Sequence, residues 1–173
     1  MRLLMVGILC ALAACSGRPS LENPSLGKQD LNLEDYFEGD LRAYGQFQDR
    51  FGRVSRRFEV DILGVWDGQV LTLTEDFLYE DGSTEQRVWT LTKTGEQTWS
   101  GTAPGVIGQA RGEERGDTFN WRYTIDLPVP DGTLRVSFDD WMWQLDERRL
   151  LNRAYMDKFG IEIGEVIIFF EKL

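Results

Sequence analysis

Apolar and polar residues alternate one by one over much of this chain beyond Leu41, and turn dipeptides interrupt the alternation at short intervals. Val54, Phe58, Val60 and Ile62 interleave with Ser55, Arg57, Glu59 and Asp61. Leu71, Leu73, Phe77 and Tyr79 form a second series, Phe119, Trp121, Tyr123, Ile125 and Leu127 a third, and Leu134, Val136 and Phe138 a fourth. A period of two sends successive side chains to opposite faces of a strand. Asp67-Gly68, Asp81-Gly82, Thr94-Gly95, Gly116-Asp117 and Asp131-Gly132 stand between the runs as tight-turn signals. Only Leu145 to Phe159 is ambiguous between helix and strand. The final run, EVIIFFE (165–171), is apolar on both faces, which suits a strand covered on both sides or one that closes a barrel.

Sequential hairpins imply an antiparallel meander. Closure removes the exposed edges of such a sheet. The expected fold is therefore all-β: an antiparallel up-and-down barrel of lipocalin-like kind, with about 8–10 strands. A membrane barrel is excluded, because the outward faces carry Arg57, Glu59, Asp61, Arg122 and Asp126, which no lipid-facing band accepts.

The N-terminus has a different character. Met1-Arg2, an apolar run from Leu3 to Leu12 and small residues Ala13 and Ala14 have the order of a secretory signal, and the run is too short to span a bilayer. Leu12-Ala13-Ala14-Cys15 is similar to the lipobox of bacterial lipoproteins. By that resemblance residues 1–14 are a signal peptide of lipoprotein type, and Cys15 becomes the lipidated first residue. Ser16, being other than Asp, favours the outer membrane. Cys10, the other cysteine, would leave with the signal, so no disulfide or thiolate metal site is expected. Residues 15–33, rich in Ser, Pro, Gly and Asn, read as a flexible tether, with 34–173 as the barrel domain and a possible helical turn over Leu33–Phe37.

Four charges break the alternation. Arg56 is in register with Val54 and Phe58, Glu75 with Leu73 and Phe77, Arg87 with Trp89 and Leu91, and Asp140 with Phe138 and Met142. All four are expected to face the barrel interior, where an unpaired charge is costly. One reading is a polar spot in an apolar cavity, with Arg56 or Arg87 receiving a carboxylate or phosphate head and aromatics such as Trp89 lining the tail. The other is a structural ion-pair network that plugs one end. A cavity above about 300 Å³ with the charges at one end would favour the first, and a packed interior with paired charges the second. Trp141 and Trp143 share one face, which would present aromatic surface to a lipid or partner.

Composition excludes several function classes. With 29 acidic against 19 basic residues the formal charge is -10, so no nucleic-acid partner is expected. The chain has no histidine, which removes Ser-His-Asp and Cys-His chemistry. Asp139 and Asp140 are strand neighbours on opposite faces and cannot flank one bond. The protein is expected not to be an enzyme, to need no cofactor or metal, and to be a monomer.

Several segments carry a wider resemblance: FQDRFGRVSRRFEVDILGVWDG (47–68), EDFLYEDGSTEQRVWTLTK (75–93), YTIDLPV (123–129), FDDWMW (138–143) and NRAYMDKFGIEIGEVIIFFEK (152–172). Together they resemble the small Gram-negative lipoproteins grouped as domain-of-unknown-function family 3833. The resemblance implies a lipid-anchored envelope protein and a setting in membrane lipid metabolism, but no catalytic residues. Gly64-Val65-Trp66 is similar to the Gly-x-Trp of lipocalins, whose Trp packs at the closed barrel end. The expected function is binding of a lipid or fatty acyl ligand by an anchored barrel facing the periplasm, with Arg56, Glu75, Arg87, Trp89 and Asp140 as candidate contacts. The alternative is a filled barrel acting as a structural adaptor for a protein partner.

Overall fold

The computed structural model describes residues 17–129 and 132–173. The candidate signal and Cys15 lie outside the described residues. Ten antiparallel strands form one closed barrel: β1 (Gly39–Asp49), β2 (Val54–Trp66), β3 (Val70–Tyr79), β4 (Thr84–Lys93), β5 (Thr98–Thr102), β6 (Ala110–Arg115), β7 (Thr118–Val129), β8 (Gly132–Gln144), β9 (Arg149–Lys158) and β10 (Ile161–Lys172). Each strand pairs with the next, and β10 pairs with β1 from Leu41↔Lys172 to Asp49↔Gly164 to complete the ring. The stretch 145–159, ambiguous in the sequence, contains β9 rather than a helix. Its neighbours on both sides supply the ladder bonds that override its weak periodicity.

The two ends of the barrel differ. A single helical turn, α1 (Leu33–Phe37), seals one of them. Leu33 and Phe37 are 1% and 3% exposed and join the barrel core. The Tyr36 hydroxyl donates to the carbonyl of Arg148 at 3.1 Å, the Lys172 ammonium donates to the Tyr36 carbonyl at 3.1 Å, and Lys93 pairs with Glu34. The Leu33 N–H donates to the buried Glu114 carboxylate at 2.7 Å. Gly64 leaves the space for this plug: a Cβ there would lie 1.7 Å from the Phe37 carbonyl oxygen. Trp66 packs on Trp99 at the same end, with ring centroids 5.7 Å apart. The opposite end, where β1, β3, β7 and β9 finish, is open.

The segment expected to be a free tether, 15–33, is bound to the barrel in its described part. Arg18 pairs with Asp157 at 2.7 Å, Glu162 at 3.1 Å and Asp139 at 3.5 Å, and lies over the Tyr155 ring at 4.8 Å. Further on, the Leu26 and Gly27 N–H groups donate to Asp117, and the Leu31 N–H donates to the Gly116 carbonyl at 2.7 Å. Leu31 is 2% exposed. The strap thus crosses the outer face of β7–β9, from the open end to the sealed one. The expected aromatic surface is absent for this reason. Trp141 points outward but is 1% exposed, stacked on half-buried Trp143, and Asn120 beside it is also buried. The alternation names the outward face; it does not say that a distant segment covers it.

Candidate functional site

The ring of ten strands is wider than the eight-stranded barrel whose interior side chains just fill it. Interior aromatics also press close on glycine backbone. A Cβ at Gly45 would meet the Phe58 ring at 2.3 Å, and one at Gly112 would meet Phe119 and Trp121 at 2.4 Å. These rings hug the wall instead of crossing the axis, and a cavity of about 260 Å³ remains. It exceeds the ~150 Å³ apolar cavity that admits benzene. It falls a little short of the ~300 Å³ at which ordinary ligand pockets begin.

Arg56, Glu75, Arg87, Trp89 and Asp140 all line this cavity, as the alternation predicts. Trp89 is 7% exposed and makes edge contacts with Trp121 at 5.8 Å and Tyr123 at 5.1 Å. The four charges do not form the mutual ion-pair plug considered above. Arg56 sits at the rim, over the Tyr79 ring at 3.3 Å, and bonds Ser83 at 2.6 Å and Asp81 at 3.4 Å. Arg87 pairs with Glu85 at 2.9 Å. Asp140 accepts from the Asn152 amide, which is 1% exposed. Glu75 is the cross-strand neighbour of Arg87, yet makes no hydrogen bond or ion pair among the described residues.

Burial sets the electrostatics. It lifts the Glu75 carboxyl to about 7; Arg87 opposes the shift, and Asp140 and Glu85 add to it. It also lifts Asp140 to about 7, against the stabilising Asn152 hydrogen bond and with the help of Asp139. At neutral pH both acids are therefore held partly protonated and serve as hydrogen-bond donors as well as acceptors. The Tyr123 hydroxyl, raised chiefly by burial, stays protonated and has no partner among the described residues. The result is a polar belt around an apolar lumen, sealed at one end by Leu33 and Phe37 and open near Tyr79, Pro128 and Val129.

Glu85, Tyr123 and Asn152 belong to the site without having been singled out from the sequence. Glu85 shares the parity of Arg87 and Trp89 and was visible by the same rule. Asn152 sits in a stretch with no clear period. Acids titrating near 7 are able to exchange protons at neutral pH. With no histidine in the chain and no cysteine after Cys15, they have neither a nucleophile of that kind nor an imidazole beside them.

Comparison with solved structures shows a shared fold. An S-type phycobiliprotein lyase, CPES, from Guillardia theta superposes with a TM-score of 0.59 at 9% identity, covering 81% of this chain and 90% of that one. A redesigned β-barrel, b11L5F_LGL, gives a TM-score of 0.45 at 7% identity, covering 87% of this chain and 99% of that one. Another, mFAP1 bound to DFHBI, gives 0.43 at 6% identity, covering 80% and 97%. At this identity the likeness to the lyase shows the closed-barrel fold alone. A search of the curated proteins finds no match. Residues 9–172, nearly the whole chain, match the family described as Protein of unknown function (DUF3833), and the chain belongs to that family.

Proposed function

We propose that this barrel holds a single fatty acyl chain, or a small lipid bearing one, in a protein anchored to the cell envelope through a lipidated Cys15 and facing the periplasm from the outer membrane. The observation that carries the ligand reading is the cavity of about 260 Å³, apolar on most of its wall, with the Glu75 carboxyl and Tyr123 hydroxyl facing it unpartnered. A structural plug would have paired these groups with each other or with Arg87; instead both are half-buried and face the cavity. An acyl tail fits against Phe77, Trp89, Phe119 and Phe138. A carboxyl or ester head at the belt meets Arg87, the protonated form of Glu75 and Tyr123 as donors. The volume suits one chain and excludes a bulky multi-chain lipid.

The ligand test is direct. The full-length protein is purified from membranes, extracted with organic solvent, and the extract analysed by mass spectrometry. A stoichiometric acyl species is expected. Arg87→Ala will retain at least tenfold less of it while its melting temperature stays close to that of the parent. An empty extract, even after exposure to total membrane lipid, returns the protein to the adaptor reading. The anchor has a separate test: a radioactive fatty acid fed to expressing cells will label the wild type and leave Cys15→Ala unlabelled, and equal labelling of the two rules out Cys15 as the attachment site.

A further inference from the structure

We propose that the open end of the barrel docks on the surface of a lipid bilayer through the aromatic tips of the β1–β2 and β9–β10 hairpins, so that the mouth of the cavity opens onto the membrane. The proposal rests on the anchoring of Cys15 and is independent of which molecule the cavity holds.

The first ground is where the chain leaves the barrel. Arg18 is clamped by Asp157, one residue before the end of β9, and by Glu162, one residue into β10. Both belong to the open end. From Cys15 to Gly17 there are two residues, which reach at most about 7 Å. A free linker of eighteen or so residues would have left the barrel's orientation undetermined. The bound strap shortens it to a stub, so an anchor at Cys15 holds the open end close to the bilayer.

The second ground is what this end exposes. Phe51 at the β1–β2 tip is 71% exposed, and Phe159 and Ile161 at the β9–β10 tip are 93% and 59% exposed. The two tips are neighbours, joined by a bond from the Arg50 N–H to the Ile163 carbonyl at 3.1 Å. Phe159 adopts φ 53, a left-handed conformation that a bulky side chain rarely takes. The two-residue turn Phe159-Gly160 needs this conformation at both positions and so holds the ring out at the very tip; with the ring in an apolar phase, its exposure to water is removed.

The third ground is charge. The chain as a whole carries -10 and would be repelled by anionic lipid. These two tips nevertheless carry Arg50, Arg53 and Lys158. With Arg18 there are four cations here against the three carboxylates Asp49, Asp157 and Glu162, so this end escapes the chain's overall negative balance. Each aromatic ring has its own cation, with Arg50 4.9 Å from the Phe51 ring and Lys158 5.6 Å from the Phe159 ring. Rings inside and cations at the headgroups is the arrangement of an interfacial anchor. The β3–β4 tip, with Glu80 and Asp81, is unsuited to this contact, so the barrel leans on the side where the strap begins. At the sealed end, exposed Leu145 is followed directly by Asp146 and Glu147.

The test uses the full-length chain, purified from membranes and reconstituted in vesicles of phosphatidylethanolamine and phosphatidylglycerol. An environment-sensitive maleimide dye is attached to Phe51→Cys or, separately, to Leu145→Cys, and quenched by nitroxide lipids. The dye at position 51 is expected to be quenched at least threefold more than the dye at 145, and adding Phe159→Asp to the first chain is expected to cut that quenching by half or more. Equal quenching at both sites, or stronger quenching at 145, overturns the docking. Wild-type protein serves as the control, because an acylated Cys15 takes no dye. If the wild type takes up dye, the anchor reading fails and the orientation argument with it. An undyed wild type with an unquenched position 51 overturns the docking alone.

Discussion

At pH 8 a chain carrying both Glu75→Gln and Asp140→Asn will unfold roughly 6–12 °C above its parent, and at pH 3 the two will unfold together. Glu75 is lifted from 4.5 to about 7 in the folded barrel, and Asp140 from 3.8 to about 7. Below about pH 3 both carboxyls are largely neutral, folded or unfolded, and the fold keeps the whole of its stability. Between about 4 and 7 the unfolded chain gives up these protons while the folded chain keeps them, so stability falls as pH rises. Above 7 the loss is complete and constant. The amides never ionise, so they avoid it. A pKa unit corresponds to about 1.4 kcal/mol, and amides still bear part of the desolvation, which leaves a net gain of about 3 kcal/mol for the pair. The measurement is a set of thermal melts across pH 3–8. A gain of the same size at both ends would mean that the carboxyls are not held neutral by burial. If the proposed ligand reading holds, the same substitutions will also alter ligand retention, because they replace groups in the polar belt.

Replacing Gly64 by Ala will destabilise the barrel by about 3 kcal/mol, seen as a fall of about 1.5 M in the urea midpoint at a slope near 2 kcal/mol/M. The added Cβ would stand 1.7 Å from the Phe37 carbonyl oxygen and 3.2 Å from Leu73. The oxygen is backbone and has no rotamer to change, so α1 must lift from the barrel end. Leu33 and Phe37 then lose their seat in the core. Gly17→Ala is the matched control, because a Cβ at Gly17 meets nothing within 4 Å. An unmoved midpoint for Gly64→Ala would show that the plug is dispensable to the fold.

The interior face was legible because one rule governs it. A period of two puts Leu73, Glu75 and Phe77 on one side, so Glu75 had to face the lumen once the others did. The same rule correctly places Arg56, Arg87, Trp89 and Asp140 on the cavity wall. The alternation also places Tyr123 on this face, but not as a site residue, because an aromatic inside a barrel looks the same whether its hydroxyl is bonded or free. The described part of the expected tether, 17–33, reads as free in the sequence for the opposite reason. Its Leu31 is buried and its Arg18 is triply paired, but neither belongs to a periodic run that a sequence pattern would reveal.

The sequence by itself determined the strands, their turns, the closure of the sheet and the face of each side chain, because all of these follow from local alternation and from the need of every strand edge for a partner. The tertiary structure alone decided that the barrel is hollow, that a helical turn seals only one end, and that the N-terminal strap hides Trp141 and leads the chain out beside the open mouth. Those outcomes depend on contacts between residues far apart in the chain: Phe37 with Gly64, Arg18 with Asp157, and the Gly112 backbone with the Trp121 ring. No local period encodes them.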